Sequence, residues 1–250
     1  MDGDGEDTGG SESTTRIPGS RASGRTGAHR SLLLRSKDSL SSAAYAKTQL
    51  MSEDLRLIHC QGAALDPYLD ALGQLRITVF REFPYLYDGS LEYERDYLRT
   101  YAAAEQSLVV LVLRGSDVVG ATTCIPMTAE GPEFQEAFVR AGYDLSQICY
   151  FGESILLPEL RGRGLGKEFF RQREAHAREL GAQITTFCAV DRPEDHPQRP
   201  ADYRPLNGLW QQQGYERHPE LQCILNWKET HESEESPKTL TFWLKKRQDS

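Results

Sequence analysis

The sequence predicts an α/β domain with a sheet of about seven strands and about four flanking helices. Three adjacent features carry this prediction. Residues 148–157 form an aromatic and aliphatic run that is typical of a buried strand, and Pro158 ends it because proline has no N–H to donate to a sheet. A loop rich in glycine follows, with Gly162, Gly164 and Gly166. Beyond the loop, one face of a predicted helix carries Leu165, Phe169, His176 and Leu180.

The other elements follow from apolar spacing and from turn residues. A stripe at intervals of three and four residues predicts a helix that Asp66 caps, that Pro67 opens and that Pro84 stops. Gly115 lies in a predicted hairpin, and Gly214 closes the last helix. The predicted strands cover residues 55–60, 107–113, 118–125, 148–157, 183–190, 221–227 and 239–244. The predicted helices cover residues 66–83, 91–104, 166–180 and 206–213, with another at 132–141 inside an insertion.

The first fifty residues differ in composition from the rest. They are rich in Gly, Ser, Thr and Arg, and they contain almost no large apolar residue before Leu32. Such a segment cannot bury enough surface to offset its ordering entropy, so residues 1–50 are predicted to be disordered. They are either a regulatory tail or lie upstream of a true start at Met51, and we favour the second interpretation. The folded domain is expected to span residues 54–247.

Composition also limits the class of protein. The net charge is −8, and an acidic domain lacks the basic stripes that nucleic-acid binding requires. It is compatible with an amine substrate. Five dispersed cysteines indicate reduced thiols in a cytoplasmic protein, and their spacing does not match a metal site. No apolar run approaches the length of a membrane span, so neither a membrane nor a nucleic acid is an expected partner.

The glycine-rich loop has the chemistry of a phosphate site. Glycines let the backbone turn tightly and present bare N–H groups, and the helix behind them adds the positive end of its dipole. Arg161, Arg163 and Lys167 add positive charge. The spacing excludes a nucleotide-triphosphate P-loop, since Glu168 stands where its hydroxyl residue should be. It also excludes the dinucleotide pattern G-x-G-x-x-G, which would require a glycine at Lys167.

The loop reads Arg161, Gly162, Arg163, Gly164, Leu165, Gly166. This run resembles the signature Gln/Arg-x-x-Gly-x-Gly/Ala of the GNAT superfamily of CoA-dependent N-acyltransferases, and the order of elements over residues 54–247 resembles that fold. The resemblance implies a mixed central sheet in which a splayed strand pair holds acetyl-CoA. It places the pyrophosphate on Gly162, Arg163, Gly164, Leu165, Gly166 and Lys167, beside Arg161. It places the acyl carbonyl and the pantetheine amides on Ser154, Ile155 and Leu156. It implies no metal, and a small-molecule or peptide amine as acceptor.

The general base has two candidates. Glu153 stands in an otherwise apolar strand beside the expected thioester, where a raised pKa would suit a base. Its small neighbours Gly152 and Ser154 leave space for a substrate or a water. The alternative interpretation is a buried glutamate paired with an arginine for structure alone. Asp191, at the end of the next strand, is the second candidate base.

The general acid is where the sequence departs from the family pattern. Many members have a tyrosine four residues before the Gly-Phe pair that closes the last helix, and here that position is Trp210. Tyr203, Tyr215 or a water are the remaining candidates, and a thiolate can also leave unprotonated.

The leading hypothesis for the function is an N-acetyltransferase, with a longer acyl-CoA as a variant. The alternative is a catalytically inert module that binds CoA or a partner.

The acceptor is expected to enter beside residues 85–89, the insertion at residues 128–146 and the acidic loop after Trp227. Tyr93, Tyr97 and Tyr101 lie four apart on one helix face, and we interpret them as packing residues.

Overall fold

The computed structural model describes residues 46–50 as backbone and residues 54–247 in full. Within these residues the strands are β1 (Ala46–Leu50), β2 (Leu55–Cys60), β3 (Leu108–Arg114), β4 (Asp117–Pro126), β5 (Ile148–Tyr150), β6 (Ser154–Leu156), β7 (Ile184–Val190), β8 (Glu216–Trp227) and β9 (Ser236–Lys246). The helices are α1 (Leu69–Phe80), α2 (Leu91–Ala103), α3 (Pro132–Arg140), α4 (Leu165–Glu179) and α5 (Asn207–Gln212).

The strands form one mixed sheet in the order β1-β2-β3-β4-β5-β7-β9-β8, with β6 paired to β4. Among the described strands only β5 and β7 run parallel, and the other pairs are antiparallel. The predicted α/β architecture is confirmed. The structure has more strands than the predicted seven because one predicted strand is divided into β5 and β6 and because β1 was not expected.

The helices pack on both faces of the sheet and create two cores. Every residue of β3 from Leu108 to Leu113 is buried, since a strand covered on both faces has no side that can be polar. One core includes Leu72 of α1, Leu98 of α2 and Phe138 of α3. The other core includes Phe169 and Phe170 of α4.

The sheet begins earlier than the composition predicted. Residues 46–50 pair antiparallel with β2, although they belong to the segment expected to be disordered. The edge of β2 presents unpaired N–H and C=O groups, and main-chain pairing can satisfy these whatever the side chains are. A prediction based on the number of apolar side chains cannot detect this main-chain pairing. The rest of the expected tail, residues 1–45, and the proposed start at Met51 lie outside the described residues.

The first helix also differs from its prediction. A 3-10 turn covers Gly62–Tyr68 and contains Pro67, and α1 starts only at Leu69, so Asp66 does not cap it. The helix ends at Phe80, before Pro84, because the chain folds back on itself. The N–H of Tyr87 donates to the carbonyl of Phe80 (2.8 Å) and occupies the acceptor that a further turn would use.

The predicted strand at residues 148–157 is broken in its middle. Phe151 donates its N–H to Thr186 O (2.7 Å), the last bond to β7. The bonds of the next two residues both involve Thr123: Gly152 N–H donates to Thr123 O (3.2 Å), and Thr123 N–H donates to Glu153 O (3.1 Å).

Gly152 and Glu153 thus both lie opposite Thr123. Two residues opposite one residue of the partner strand make a β-bulge, which bends the strand. Beyond the bulge β6 pairs with β4 alone, while β7 continues beside β9. A gap therefore opens between β6 and β7, as expected of the splayed strand pair.

Gly152 is needed at the bulge for close packing. A Cβ at this position would lie 2.1 Å from the Tyr101 hydroxyl oxygen and 2.6 Å from Thr123 Oγ1. The space that we expected Gly152 to leave for a substrate or a water is thus taken by the Tyr101 hydroxyl.

We predict that Gly152→Ala destabilises the protein by about 1–3 kcal/mol, because the added methyl overpacks a site that cannot expand. Urea unfolding measures the change. The control is Gly208→Ala in α5, where a Cβ would meet nothing within 4 Å and where alanine favours the helix. Equal stability losses in the two variants would contradict the packing argument.

Candidate active site

The glycine-rich loop is held open by its backbone conformation. Gly162 has φ 74° and Gly164, which precedes α4, has φ 84°. A side chain is disfavoured at these angles, and a Cβ at either position would meet nothing within 4 Å. At Gly166, in the first turn of α4, the nearest atom would be Leu209 Cδ2 at 3.8 Å. The glycines therefore leave bare backbone facing open space, as a ligand that approaches the main chain requires.

The N-terminus of α4 completes an anion site. The N–H groups of Lys167 and Glu168 both donate to Gly164 O (3.1 Å each). The N–H groups of Leu165 and Gly166 have no intrahelical acceptor, because they belong to the first turn. These donors and the helix dipole favour a negative charge in front of the loop. The side chains of Arg163 and Lys167 are exposed beside it. The site fits a pyrophosphate.

Arg161 is engaged elsewhere. Its Nη1 lies 2.7 Å from Glu82 Oε2 after α1, and its Nε donates to the carbonyl of Leu156 (3.2 Å). The arginine therefore joins the loop to α1 and to the end of β6.

The strand β6 offers part of its backbone to the gap. Leu157 N–H donates to Val119 O (3.1 Å), and Ile155 is paired with Ala121 of β4. Because backbone groups alternate along a strand, Ile155 turns its N–H and C=O towards β4. The backbone groups of Ser154 and Leu156 face the gap. Of the three residues expected to hold the acyl arm, two are thus oriented for backbone pairing with a ligand.

An aromatic cavity lies on the acceptor side of the break. Eight of its fourteen lining residues are Phe, Tyr or Trp. Tyr85 and Tyr87 come from the turn after α1, Phe134 from the insertion and Trp227 from the end of β8. Gly152 and Glu153 line it too, so the cavity reaches the point where β5 and β6 separate.

A buried ion-pair cluster forms one wall of this cavity. Arg76 of α1 donates through Nε to Glu94 of α2 and through Nη1 to Glu153. The side chains of Glu94 and Glu153 are 0% and 2% exposed. The Arg76 guanidinium also lies 4.2 Å from the centroid of the Tyr97 ring, in a cation–π contact. One guanidinium thus serves two carboxylates, which leaves one negative charge in the cluster.

Glu153 is fixed through its backbone and free at one oxygen. Thr122 Oγ1 donates to Glu153 O (2.6 Å), and Glu153 N–H donates to Thr123 Oγ1 (3.2 Å). Arg173 of α4 donates to the same carbonyl (3.4 Å). The side-chain Oε1 of Glu153 is buried and has no hydrogen-bond partner. The ion pair that a purely structural role needs is present, and the residue also faces the cavity.

Burial raises the pKa of two glutamates in this region. Burial raises the pKa of Glu153, Arg76 lowers it and Glu94 raises it further. Burial also raises the pKa of Glu130 to about 8, with Glu133 and Glu153 adding to the shift. Carboxyl groups in this region therefore take up protons more readily than exposed ones.

The other predicted site residues lie outside the cavity lining. Asp191 binds Arg217 Nη2 (2.8 Å) through Oδ1 and accepts from Thr241 Oγ1 (2.6 Å) through Oδ2, so both of its oxygens are occupied. Tyr203 packs edge-to-face on Phe83, with ring centroids 4.7 Å apart.

The two residues discussed for the last helix are parts of the core. Tyr215 is buried, and its hydroxyl donates to Glu174 Oε1 (3.2 Å). Trp210 packs against Phe187 and Trp243, with ring centroids 5.1 and 5.0 Å apart.

Two residues of the cluster were not predicted from the sequence. Arg76 stands four residues after Leu72 and Glu94 four before Leu98, each on an apolar face. A charge within an apolar stripe was the available signal. Tyr93 and Tyr97, which we interpreted as packing residues, line the cavity.

Neither a membrane-spanning helix nor a cluster of metal ligands occurs among the described residues. No helix within them has the length and apolarity needed to cross a bilayer. No three His, Cys, Asp or Glu side chains in this part of the chain are grouped so that they could hold a metal ion.

We predict that Arg76→Met destabilises the protein by about 3–5 kcal/mol at neutral pH, because two buried carboxylates lose their common partner. The folded-state pKa of Glu153, which burial already raises above its unfolded value, then rises further because Arg76 no longer lowers it. The loss of stability is therefore greatest at pH values above the raised pKa. It shrinks as the pH falls and the carboxylates become protonated. Urea unfolding between pH 5 and pH 8 tests this. Arg95→Met, which breaks an exposed pair with Asp70, serves as control and should change little. A loss independent of pH would contradict the argument.

Comparison with known proteins agrees with the fold and with the family resemblance. A family model described as the acetyltransferase (GNAT) family matches residues 74–201, just over half of the chain. Among curated proteins, none matches the sequence significantly.

Solved structures resemble the fold at low identity. A putative acetyltransferase from Acinetobacter baylyi ADP1 is 12% identical, with 80% of this chain and 95% of that chain covered and a TM-score of 0.53. An N-acetyltransferase from Staphylococcus aureus Mu50 is 10% identical, with coverages of 78% and 99% and a TM-score of 0.51. A putative acetyltransferase from Salmonella typhimurium, solved with its cofactor acetyl-CoA, is 9% identical, with coverages of 79% and 96% and a TM-score of 0.50. The chain belongs to the GNAT acetyltransferase family.

Proposed function

We propose that the protein is an N-acetyltransferase that moves an acetyl group from acetyl-CoA to an amine by direct transfer. The observation that carries this proposal is the position of Glu153. This residue stands at the strand break: it directly precedes β6, which is followed in the chain by the phosphate loop, and it lines the aromatic cavity. Family membership supports the reaction class, and the Salmonella structure with acetyl-CoA supports the cofactor.

The residues that would hold acetyl-CoA are those of the loop and of β6. The N–H groups of Leu165 and Gly166 would bind the pyrophosphate, with Arg163 and Lys167 adding charge. The backbone of Ser154 and the N–H of Leu156 would pair with the acyl arm, since the carbonyl of Leu156 already accepts from Arg161. When bound, acetyl-CoA supplies the activated acetyl group as a thioester.

Glu153 is the proposed general base, directly or through a water. An incoming ammonium must lose a proton before its nitrogen can attack a carbonyl. Glu153 lines the cavity, its Oε1 is unpartnered and burial has raised its pKa. When it takes the proton, Arg76 and Glu94 remain as a neutral pair. Proton uptake therefore removes the excess negative charge of the cluster rather than creating a new buried charge.

The proposal assigns no side chain as the general acid. Burial raises the pKa of Tyr97 and Tyr150, which line the cavity, and a higher pKa makes a hydroxyl a poorer acid. We propose that the thiolate of CoA leaves as such or takes its proton from water.

The second candidate is an inert module that binds CoA, and Trp210 at the family's tyrosine position is the observation in its favour. The two candidates differ in one measurement, the release of free CoA thiol from acetyl-CoA in the presence of amines. The enzyme releases it only when an acceptor is added, and the inert module does not.

We predict that Gly166→Asp lowers the affinity for CoA at least about ten-fold, since a carboxylate beside the pyrophosphate repels it. The fold should be retained, because an acidic residue in the first turn favours the helix. Calorimetry with CoA measures the affinity. The control is Gly181→Asp, which adds the same charge after the other end of α4; Gly181 has φ 77°, a left-handed conformation that Asp tolerates better than most residues, and a Cβ there would meet nothing within 4 Å. Undiminished affinity in Gly166→Asp would exclude the loop as the pyrophosphate site.

We predict that Glu153→Gln lowers kcat by roughly 10²–10⁴-fold, the range for loss of a general base, with unchanged affinity for acetyl-CoA. The amide keeps the size of the side chain and can still accept a hydrogen bond from Arg76. Asp191→Asn is the matched control and should retain its rate.

The pH profile provides a second readout for the same variant. Because the base works deprotonated and its pKa is raised, the wild-type rate should climb with pH through a value above the ordinary glutamate range. That limb should vanish in Glu153→Gln. A variant that keeps both its rate and this limb would leave Glu153 with a structural role only.

A further inference from the structure

The cavity beside Glu153 is built for an apolar body with one positive end. Most of its lining is aromatic, including Tyr85, Tyr87, Tyr97 and Trp227. Aromatic faces attract both apolar groups and ammonium ions. A polyhydroxylated molecule would lose its hydration against these rings without recovering its hydrogen bonds.

Two buried polar atoms of the lining have no partner. They are Oε1 of Glu153 and the hydroxyl oxygen of Tyr93. Both can accept a hydrogen bond, and a buried polar atom without a partner destabilises a protein unless something satisfies it. A ligand with several N–H donors would satisfy both. Arg76 cannot act as the cation here, because Glu94 and Glu153 already share it.

Two further carboxyl groups lie near the cavity wall. Glu130 is 6% exposed, and its buried Oε2 has no hydrogen-bond partner. The buried Oε1 of Glu133 has no hydrogen-bond partner either. Both residues lie in the insertion that contributes Phe134 to the cavity wall. Neither carboxyl group lines the cavity, but Glu133 interacts electrostatically with Tyr93 and Glu130 with Tyr97, both of which do.

A roof forms one side of the cavity, to which it contributes Tyr85 and Tyr87. The roof consists of residues 84–88 after α1, and main-chain bonds join it to the loop after β8. Asp88 N–H donates to Lys228 O (2.9 Å), and Thr230 N–H donates to Leu86 O (2.7 Å).

Side chains hold the same roof. Arg192 Nε donates to the carbonyl of Pro84 (2.6 Å), and its Nη2 lies 2.6 Å from Glu229 Oε1. Trp227 Nε1 donates to the carbonyl of Tyr85 (3.0 Å). The backbone of the roof is thus already paired, so an extended peptide cannot add to it as a strand.

We propose that the acceptor is a compact primary alkylamine or arylalkylamine, bound as an ammonium with its nitrogen at Glu153 and Tyr93 and its apolar body among the rings. This inference rests on the proposed acetyl transfer and names the substrate class for it. In the reaction the nitrogen bonds to the acetyl carbon as the carbon–sulfur bond breaks. Of the two protons that the nitrogen loses, the first goes to Glu153 and the second goes to water as the tetrahedral carbon collapses, while the CoA thiolate leaves as such or takes its proton from water.

The first experiment measures binding and turnover separately. Calorimetry of the full chain, with CoA present, compares 2-phenylethylamine and butylamine with the neutral analogue 2-phenylethanol, with an alanine dipeptide amide and with kanamycin. Release of CoA thiol from acetyl-CoA is then followed with each amine. We expect the two simple amines to bind at least about ten-fold more tightly than the other three probes, and to give the highest kcat/KM.

The second experiment uses Tyr93→Phe. Loss of the hydroxyl should weaken binding of 2-phenylethylamine roughly ten-fold, the order expected for a hydrogen bond to a charged group. The same change should leave stability unaltered or raise it, because the hydroxyl has no partner in the protein. A merely structural tyrosine would not show this combination. Tyr68→Phe, outside the cavity lining, is the control and should bind like the wild type.

The outcomes separate the two proposals. Binding of the simple amines without CoA release supports the cavity assignment and overturns the acetyl transfer. Tighter binding or faster turnover of the dipeptide or of kanamycin overturns the substrate class and leaves acetyl transfer standing. Equal binding of 2-phenylethanol, unchanged affinity in Tyr93→Phe or absence of amine binding also overturns the inference.

Discussion

The bulge at residues 151–153 is the constraint on which the rest of this structure depends. It ends the parallel pairing of β5 with β7 and leaves β6 attached to β4 alone. The backbone groups of Ser154 and Leu156 consequently face a gap instead of a neighbouring strand. Thr122, Thr123 and Arg173 hold the bulge from two sides. Without it, the sheet would close and Glu153 would point into an ordinary core.

Burying the charged side chains at the bulge costs free energy of folding. Their arrangement shows how the fold tolerates this cost. A buried ion pair often contributes less than apolar residues of the same size, because both charges lose their hydration. Here one guanidinium compensates two carboxylates, and the surplus charge is relieved when one of them protonates. Glu153 faces the cavity, whereas the side chain of Glu94 is fully buried behind Arg76. The geometry therefore favours Glu153 as the group that exchanges a proton with a ligand.

The sequence predicts the parts of this structure that local patterns encode. The glycine-rich loop, the helix after it and the order of strands follow from spacing, and the fold confirms them. The bulge does not follow from spacing, because an apolar run shows that a strand is buried but does not show which neighbouring strands it bonds to. Tyr93 and Tyr97 were assigned to the correct face, yet spacing cannot tell a packed core from a cavity wall. The strand at residues 46–50 was missed because main-chain pairing needs no apolar side chain.

The two halves of the site differ in how the chain builds them. The loop and β6 both lie within the fifteen consecutive residues 153–167. Their chemistry can therefore be predicted from one short stretch of sequence. The cavity collects side chains from α1, α2, the insertion, β7, β8 and β9. Its roof depends on Arg192 and Glu229, which belong to segments that are polar in sequence. A fold can therefore persist at 9–12% identity while the cavity changes with each of these segments. For that reason the acceptor must be inferred from this chain's own side chains rather than from its relatives.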